Sequence, residues 1–175
     1  MIRLTMMMAG AALALAACTS NGGGTASAGS EAATAAGETI RFATDRCFGT
    51  CPVYSVTVRP DGTGTFEGQQ FTAVTGARDF TLTPAQYRAF ADRLAAFRPE
   101  ERERRVEPGS PLCPNHATDM SSVDVTWSGG AGGTRHLHQY LGCVGEDDRD
   151  TRTALRTAPE LLPIAAFLGE RPVGR

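Results

Sequence analysis

Residues 53 to 67 constrain the fold more tightly than any other stretch. Tyr54, Val56 and Val58 alternate with Ser55 and Thr57, Pro60-Asp61-Gly62 follows, and Thr63 to Glu67 returns. A period of two sends successive side chains to opposite faces of a sheet. Pro presets φ for a turn, and Gly accepts the left-handed position. The segment predicts a hairpin with one buried face. Its neighbours extend it: Ile40 and Phe42 sit two apart within Thr39 to Thr44, and two more short stretches follow, Phe71 to Thr75 and Arg78 to Leu82. Gly76 marks a turn or bulge between those two, completing a small antiparallel meander.

Thr83-Pro84-Ala85-Gln86 places Thr at an N-cap, Pro at the first helical position and Gln at N3, a capping box. Tyr87, Phe90, Ala91, Leu94 and Phe97 then recur at helical spacing, with Arg88, Asp92, Arg93 and Arg98 on the other face. The helix is expected to end before Pro99. Glu100 to Met120 reads as a loop, and Arg102-Glu103-Arg104-Arg105 as a solvated cluster of mixed charge. Val123 to Trp127 and Thr134 to Leu141 read as a second hairpin across the glycine-rich Ser128 to Gly133, with Trp127 packed at the sheet–helix interface. A last helical stretch is expected between about Ala158 and Leu168, weakened by Pro163. The fold class is α+β: a small antiparallel sheet, two hairpins or a meander, with one or two helices on one face.

The N-terminal residues speak to location. Arg3 supplies a positive charge, Leu4 to Leu15 form an apolar stretch too short to span a bilayer, and Leu15-Ala16-Ala17-Cys18 closes it. This layout resembles the bacterial lipobox, which implies a lipoprotein signal over residues 1–17 and acylation, palmitate included, at Cys18. Several acyl chains on one residue hold a protein at a membrane where a single chain barely does, since each buried CH₂ contributes about 0.8 kcal/mol. Thr19 and Ser20 follow the cysteine with no Asp, which by resemblance to lipoprotein sorting points to the outer membrane, facing the periplasm. Apart from Cys18, Asn21 and Glu31, residues 18–37 are Gly, Ala, Ser and Thr with almost nothing to bury, the composition of a flexible linker. Residues 38–170 leave room for a single domain and one core.

A net charge of −2 supplies no basic field, which argues against a nucleic-acid partner. The sequence carries no Gly-x-Ser-x-Gly, no His-Glu-x-x-His and no phosphate-cradling glycine loop, so neither a catalytic constellation nor a cofactor is expected.

Five cysteines become four once Cys18 carries lipid: Cys47, Cys51, Cys113 and Cys143. An even count in an exported small domain reads as disulfides, with three connectivities possible. Cys113 precedes the second hairpin and Cys143 follows it, so both lie at one end of that ribbon, which favours Cys47–Cys51 and Cys113–Cys143. Two cysteines four apart in an extended strand lie too far apart to bond, so the chain between Cys47 and Cys51 must curl, and Gly49 makes that inexpensive. Three readings of this pair stand: a structural staple, a reducible redox pair, and a metal site with a nearby His. The Cys-x-x-x-Cys-Pro spacing resembles that of copper-delivering thioredoxin-like chaperones, but there the motif opens a long helix, whereas here an alternating strand follows. His136 and His138 point to one face of a strand; with His116 they make a weak alternative metal set, because no carboxylate or thiol is positioned by spacing to complete it.

The string Cys47-Phe48-Gly49-Thr50-Cys51-Pro52-Val53-Tyr54, followed by Asp61-Gly62-Thr63 and Phe66-Glu67-Gly68, resembles a bacterial family of exported domains of unknown function, DUF6438. The likeness continues through the helix from Pro84 to Phe97. It resumes at Cys113, Thr118-Asp119, the second hairpin and Tyr140-Leu141-Gly142-Cys143. The resemblance implies the domain limits and an envelope location, and brings no activity with it. The functional expectation is a non-enzymatic envelope lipoprotein, anchored to the membrane through Cys18, whose domain binds an envelope protein or a cell-wall component or serves structure. The alternative is a thiol–disulfide or metal-handling protein using Cys47 and Cys51.

Overall fold

Seven strands hydrogen-bond into one sheet in the computed structural model, which describes residues 37–169. They are β1 (Thr39–Thr44), β2 (Val53–Val58), β3 (Thr63–Gln70), β4 (Gly76–Thr81), β5 (Glu103–Val106), β6 (Ser122–Ser128) and β7 (Arg135–Tyr140). The helices are α1 (Pro84–Ala95), α2 (Glu146–Thr157) and α3 (Ala165–Leu168), with a 3-10 turn at Ala158–Leu161. The expected signal segment 1–17, Cys18, the expected linker as far as residue 36 and residue 170 lie outside the described residues. Among the described residues, no helix is long and apolar enough to cross a membrane.

The strand order is β4-β3-β2-β1-β6-β7-β5, with β1 in the centre. Register carries the alternation seen in sequence into a continuous apolar band. Phe66 lies opposite Val56, Val56 opposite Phe42, Phe42 opposite Val125, and Val125 opposite Leu137. A second row joins Val58, Ile40 and Trp127. These residues are buried against Phe90 and Leu94 of α1, Leu155 of α2, and Leu162 and Ile164 beyond the 3-10 turn. One face of the sheet is therefore covered by helices, while Arg41, Asp124, Thr126, His136 and His138 occupy the alternate positions. The Phe42 and Phe90 rings meet edge-on at 6.3 Å across the sheet–helix interface, and within the sheet Tyr54 stacks on Phe66 at 5.5 Å.

The hairpin turn forms as its chemistry predicts. Gly62 has φ +85°, and Asp61 accepts hydrogen bonds from both the amide and the hydroxyl of Thr63. The α1 capping box is present: the Gln86 amide donates to Thr83 Oγ1, and the Thr83 amide donates to Gln86 Oε1 at 2.9 Å. Of the apolar stripe, Phe90 and Leu94 are fully buried, while Tyr87, Ala91 and Phe97 pack partly buried against the core. At Gly64 the Phe80 ring lies flat over the backbone, where any Cβ would collide with it.

Five expectations need correction. The sheet is larger than two hairpins and is mixed, because β5 pairs in parallel with β7. Glu103–Val106, expected to be loop, is that edge strand. Only Val106 is buried on it, so it shows no apolar alternation, and its charges suit an unpaired edge. Phe71 to Thr75 is not a strand: β3 runs on to Gln70, and the amides of Ala73 and Val74 instead donate to the carbonyls of Leu168 and Phe167. Helix α2 lies where no helix was expected, and the predicted helix at 158–168 is divided into the 3-10 turn and α3, with Pro163 between them.

Candidate functional site

The Cys47–Cys51 segment is held at three points. Cys47 and Cys51 form one of two cysteine pairs at disulfide distance, their Cα atoms 5.7 Å apart. Gly49, at φ +144°, lets the chain curl between them, as its lack of a Cβ permits. The Phe48 amide donates to the Asp119 carbonyl at 3.1 Å, and Thr44 Oγ1 donates to the Pro52 carbonyl at 2.8 Å while accepting from the Tyr54 amide at 3.2 Å. A backbone fixed in this way carries a ring that nothing covers: Phe48 is 87% exposed.

Beside this loop the helix-covered face opens into a pocket of about 170 Å³. Buried Phe42, Tyr54, Val123, Leu141 and Leu155 form its floor. Cys51 and Pro52 contribute one wall from the loop, and Ser121 and Arg156 line it as well. The other lining side chains are uncharged, and Arg156 forms no hydrogen bond or ion pair with a described residue. An apolar cleft with a few polar groups on its wall resembles a small-ligand site in lining, and at this volume it is smaller than most such sites.

The second pair, Cys113 and Cys143, has Cα atoms 5.3 Å apart and closes a separation of 30 residues. Both are fully buried and form a small second core with Val106, against which Tyr140 packs. The loop from Cys113 to Met120 is zipped to the segment after β7: the Ala117 amide donates to the Gly142 carbonyl, and the Val144 amide to the Asn115 carbonyl. The Tyr140 hydroxyl donates to the Ala117 carbonyl at 2.9 Å and accepts from the Met120 amide at 3.2 Å. This zipper holds Ser121 and Asp119 in place, and through them one side of the pocket and the anchor point of Phe48. Arg152 of α2 donates to the Cys143 carbonyl.

The three histidines do not come together. His116 bridges to Cys143 through its backbone and sets its ring edge-on to Tyr140, centroids 6.2 Å apart. His136 and His138 share a face of β7 and meet Asp124 of β6, which sequence spacing did not reveal as their partner. Asp124 Oδ1 lies 2.8 Å from His136 Nε2 and 3.1 Å from His138 Nδ1, and Glu103 Oε1 lies 3.4 Å from His136 Nδ1. Arg105 then links Glu103 to Glu107. Hydrogen bonds from Arg105 first, and from His136 second, hold the Glu103 carboxyl below the usual range. The Asp124 oxygen itself fills the space between the two rings, and among the described residues no group of three His, Cys, Asp or Glu is arranged to hold a metal ion. The cluster is a polar ladder running across β6, β7 and β5.

Of the cysteines singled out in sequence, Cys47, Cys51, Cys113 and Cys143 are brought into two pairs, and Cys51 alone of these four lines the pocket. Cys18 lies outside the described residues. Ser121, Leu155 and Arg156 were not anticipated. They belong to a loop and to an unexpected helix, and no local motif marks them.

No curated protein and no solved structure matches the chain. A family model does, described as a domain of unknown function, over residues 38–160, which takes in all seven strands, α1, α2 and both cysteine pairs. With that span covering more than half of its length, the chain belongs to the DUF6438 family.

Proposed function

We propose that this chain is an envelope lipoprotein, exported by residues 1–17 and acylated at Cys18, in which the segment 18–37 tethers a binding domain spanning 38–170. The outer membrane, on its periplasmic side, is the expected site, and an envelope protein or cell-wall component is the expected partner. The domain performs no chemistry of its own and does not bind nucleic acid. One observation carries the binding reading: an apolar-floored pocket opens beside a loop that is pinned by a cysteine pair yet leaves Phe48 87% exposed. Aromatic side chains on rigid backbone are favoured interface anchors, because little entropy is lost when they are buried. The cysteine pairing supports the oxidising compartment that export implies.

Two measurements test this. Labelled palmitate should enter the wild-type chain and fail to enter Cys18→Ala, which should leave the membrane fraction; unchanged membrane association would remove the anchor. Benzene or hexan-1-ol should raise the melting temperature of wild-type protein and not of Ser121→Leu, whose larger side chain fills the pocket; equal response would remove the pocket.

A second reading, thiol–disulfide exchange, draws on the position of Cys47 and Cys51, both only partly buried on an exposed loop. A reduction potential below about −300 mV marks a structural bridge, and a higher one a reactive pair. Metal handling through the same two thiolates would require the reduced form.

A further inference from the structure

We infer that the pocket beside the Cys47–Cys51 loop takes a short aliphatic carboxylate, with its chain on the floor and its anionic end at Arg156. The inference rests on the binding reading above and assigns the chemistry of the ligand.

Size limits the apolar part. The pocket encloses about 170 Å³, close to the roughly 150 Å³ of an apolar protein cavity that accepts benzene. A chain of about six carbons fills such a volume. The floor of Phe42, Tyr54, Val123, Leu141 and Leu155 is hydrocarbon and aromatic, so chain length should govern affinity until the space is full.

Charge selects the polar end. Arg156 is the one charged residue among the described lining, and no carboxylate lines the pocket with it. Its guanidinium makes no hydrogen bond or ion pair with a described residue, and the Ser121 hydroxyl on the same lining has no hydrogen bond to a described residue either. A guanidinium presents a fork of N–H donors that matches the two oxygens of a carboxylate, and a hydroxyl adds a further donor. An ammonium-headed ligand of the same length would meet a like charge at Arg156. The position is exposed, so the charge contributes modest selectivity while the chain supplies most of the binding.

The test is an NMR titration of the full chain carrying Cys18→Ala, with butanoate, hexanoate, octanoate, hexan-1-ol and hexylamine as probes. Affinity should rise about fourfold per added methylene and level off near six carbons. Hexanoate should bind about fivefold more tightly than hexan-1-ol, and hexylamine more weakly than either. Arg156→Gln should abolish the preference for carboxylate over alcohol. Ser121→Leu should abolish binding of every probe, with near-UV circular dichroism retained. Equal affinity for the three six-carbon probes, or a carboxylate preference that survives Arg156→Gln, would overturn the anionic assignment and leave the pocket as an apolar site. Absence of saturable shifts at Leu155 and Val123 with any probe would overturn the pocket reading as well.

Discussion

Removing the two cysteine pairs one at a time should produce unequal losses of stability, and the inequality can be worked out from chain separation. In the loop-closure account, a cross-link stabilises by restricting the unfolded chain, and the effect grows with the logarithm of the loop. Cys113–Cys143 closes a separation of 30 residues, for which that relation gives about 3.6 kcal/mol. Cys47–Cys51 closes a separation of 4, for which it gives about 1.9 kcal/mol. Packing adds to the first figure, since Cys113 and Cys143 are fully buried with Val106, whereas Cys47 and Cys51 are partly exposed. For a domain of this size, a change of 1 kcal/mol moves the melting temperature by roughly 3–5 °C. Cys113→Ala/Cys143→Ala should therefore lower it by about 11–18 °C, and Cys47→Ala/Cys51→Ala by about 6–9 °C. Calorimetry under non-reducing conditions, paired with urea unfolding to extract free energies, reads both. A loss from the short loop that equals or exceeds that from the long one would refute the loop-closure account for this domain. So would free thiols detected in the folded wild-type protein.

Three further outcomes follow from single residues. Phe90→Ala removes a fully buried ring that meets Phe42 edge-on and should cost about 3–5 kcal/mol by urea unfolding; a loss under about 1 kcal/mol would mean that α1 is not seated on the sheet. Gly62→Ala forces a Cβ to within 2.8 Å of the Leu82 carbonyl oxygen at φ +85° and should cost about 1–3 kcal/mol, whereas Gly76→Ala, with φ +79° but open space, should cost less. The Asp61 carboxyl is held below the ordinary carboxylate range by the hydroxyl of Thr63 first and its amide second. Because the folded value is depressed, the stability it contributes is present above the unfolded pKa and disappears as pH falls through the folded one. Thr63→Val should raise the Asp61 midpoint in an NMR pH titration, and an unmoved midpoint would discard that hydrogen bond as the cause.

What could be read from sequence follows how local each signal is. Strands β1, β2, β6 and β7 alternate within themselves, and α1 announces both its cap and its apolar stripe, so these elements were visible residue by residue. Strand β5 was not, because Glu103, Arg104 and Arg105 are exposed and Val106 alone is buried. Its parallel partner, β7, lies some thirty residues further along, beyond the reach of any turn chemistry. Helix α2 reads Glu-Asp-Asp-Arg-Asp-Thr-Arg-Thr-Ala-Leu-Arg-Thr, and Leu155 is its one described residue fully inside the core, too little to mark a face. The pocket draws on β1, β2, β6, α2 and the segments between them, and exists only after the sheet and helices have met. The Asp124 contact with His136 and His138 was hidden for the same reason: it depends on the register of β6 against β7, which no spacing within one strand encodes.

The central place of β1 bears on how the domain meets mechanical load. Any pull transmitted along the chain ahead of Gly37 enters at Glu38, whose carbonyl accepts from the Tyr87 hydroxyl at 2.6 Å and whose carboxylate pairs with Arg98 at 2.7 Å. Beyond that clasp the force reaches a strand bonded on both sides, to β2 and to β6, so it cannot be peeled from an edge one bond at a time. Extraction would have to shear two ladders together. A load applied at Glu38 is thus met by the middle of the sheet and not by an edge strand.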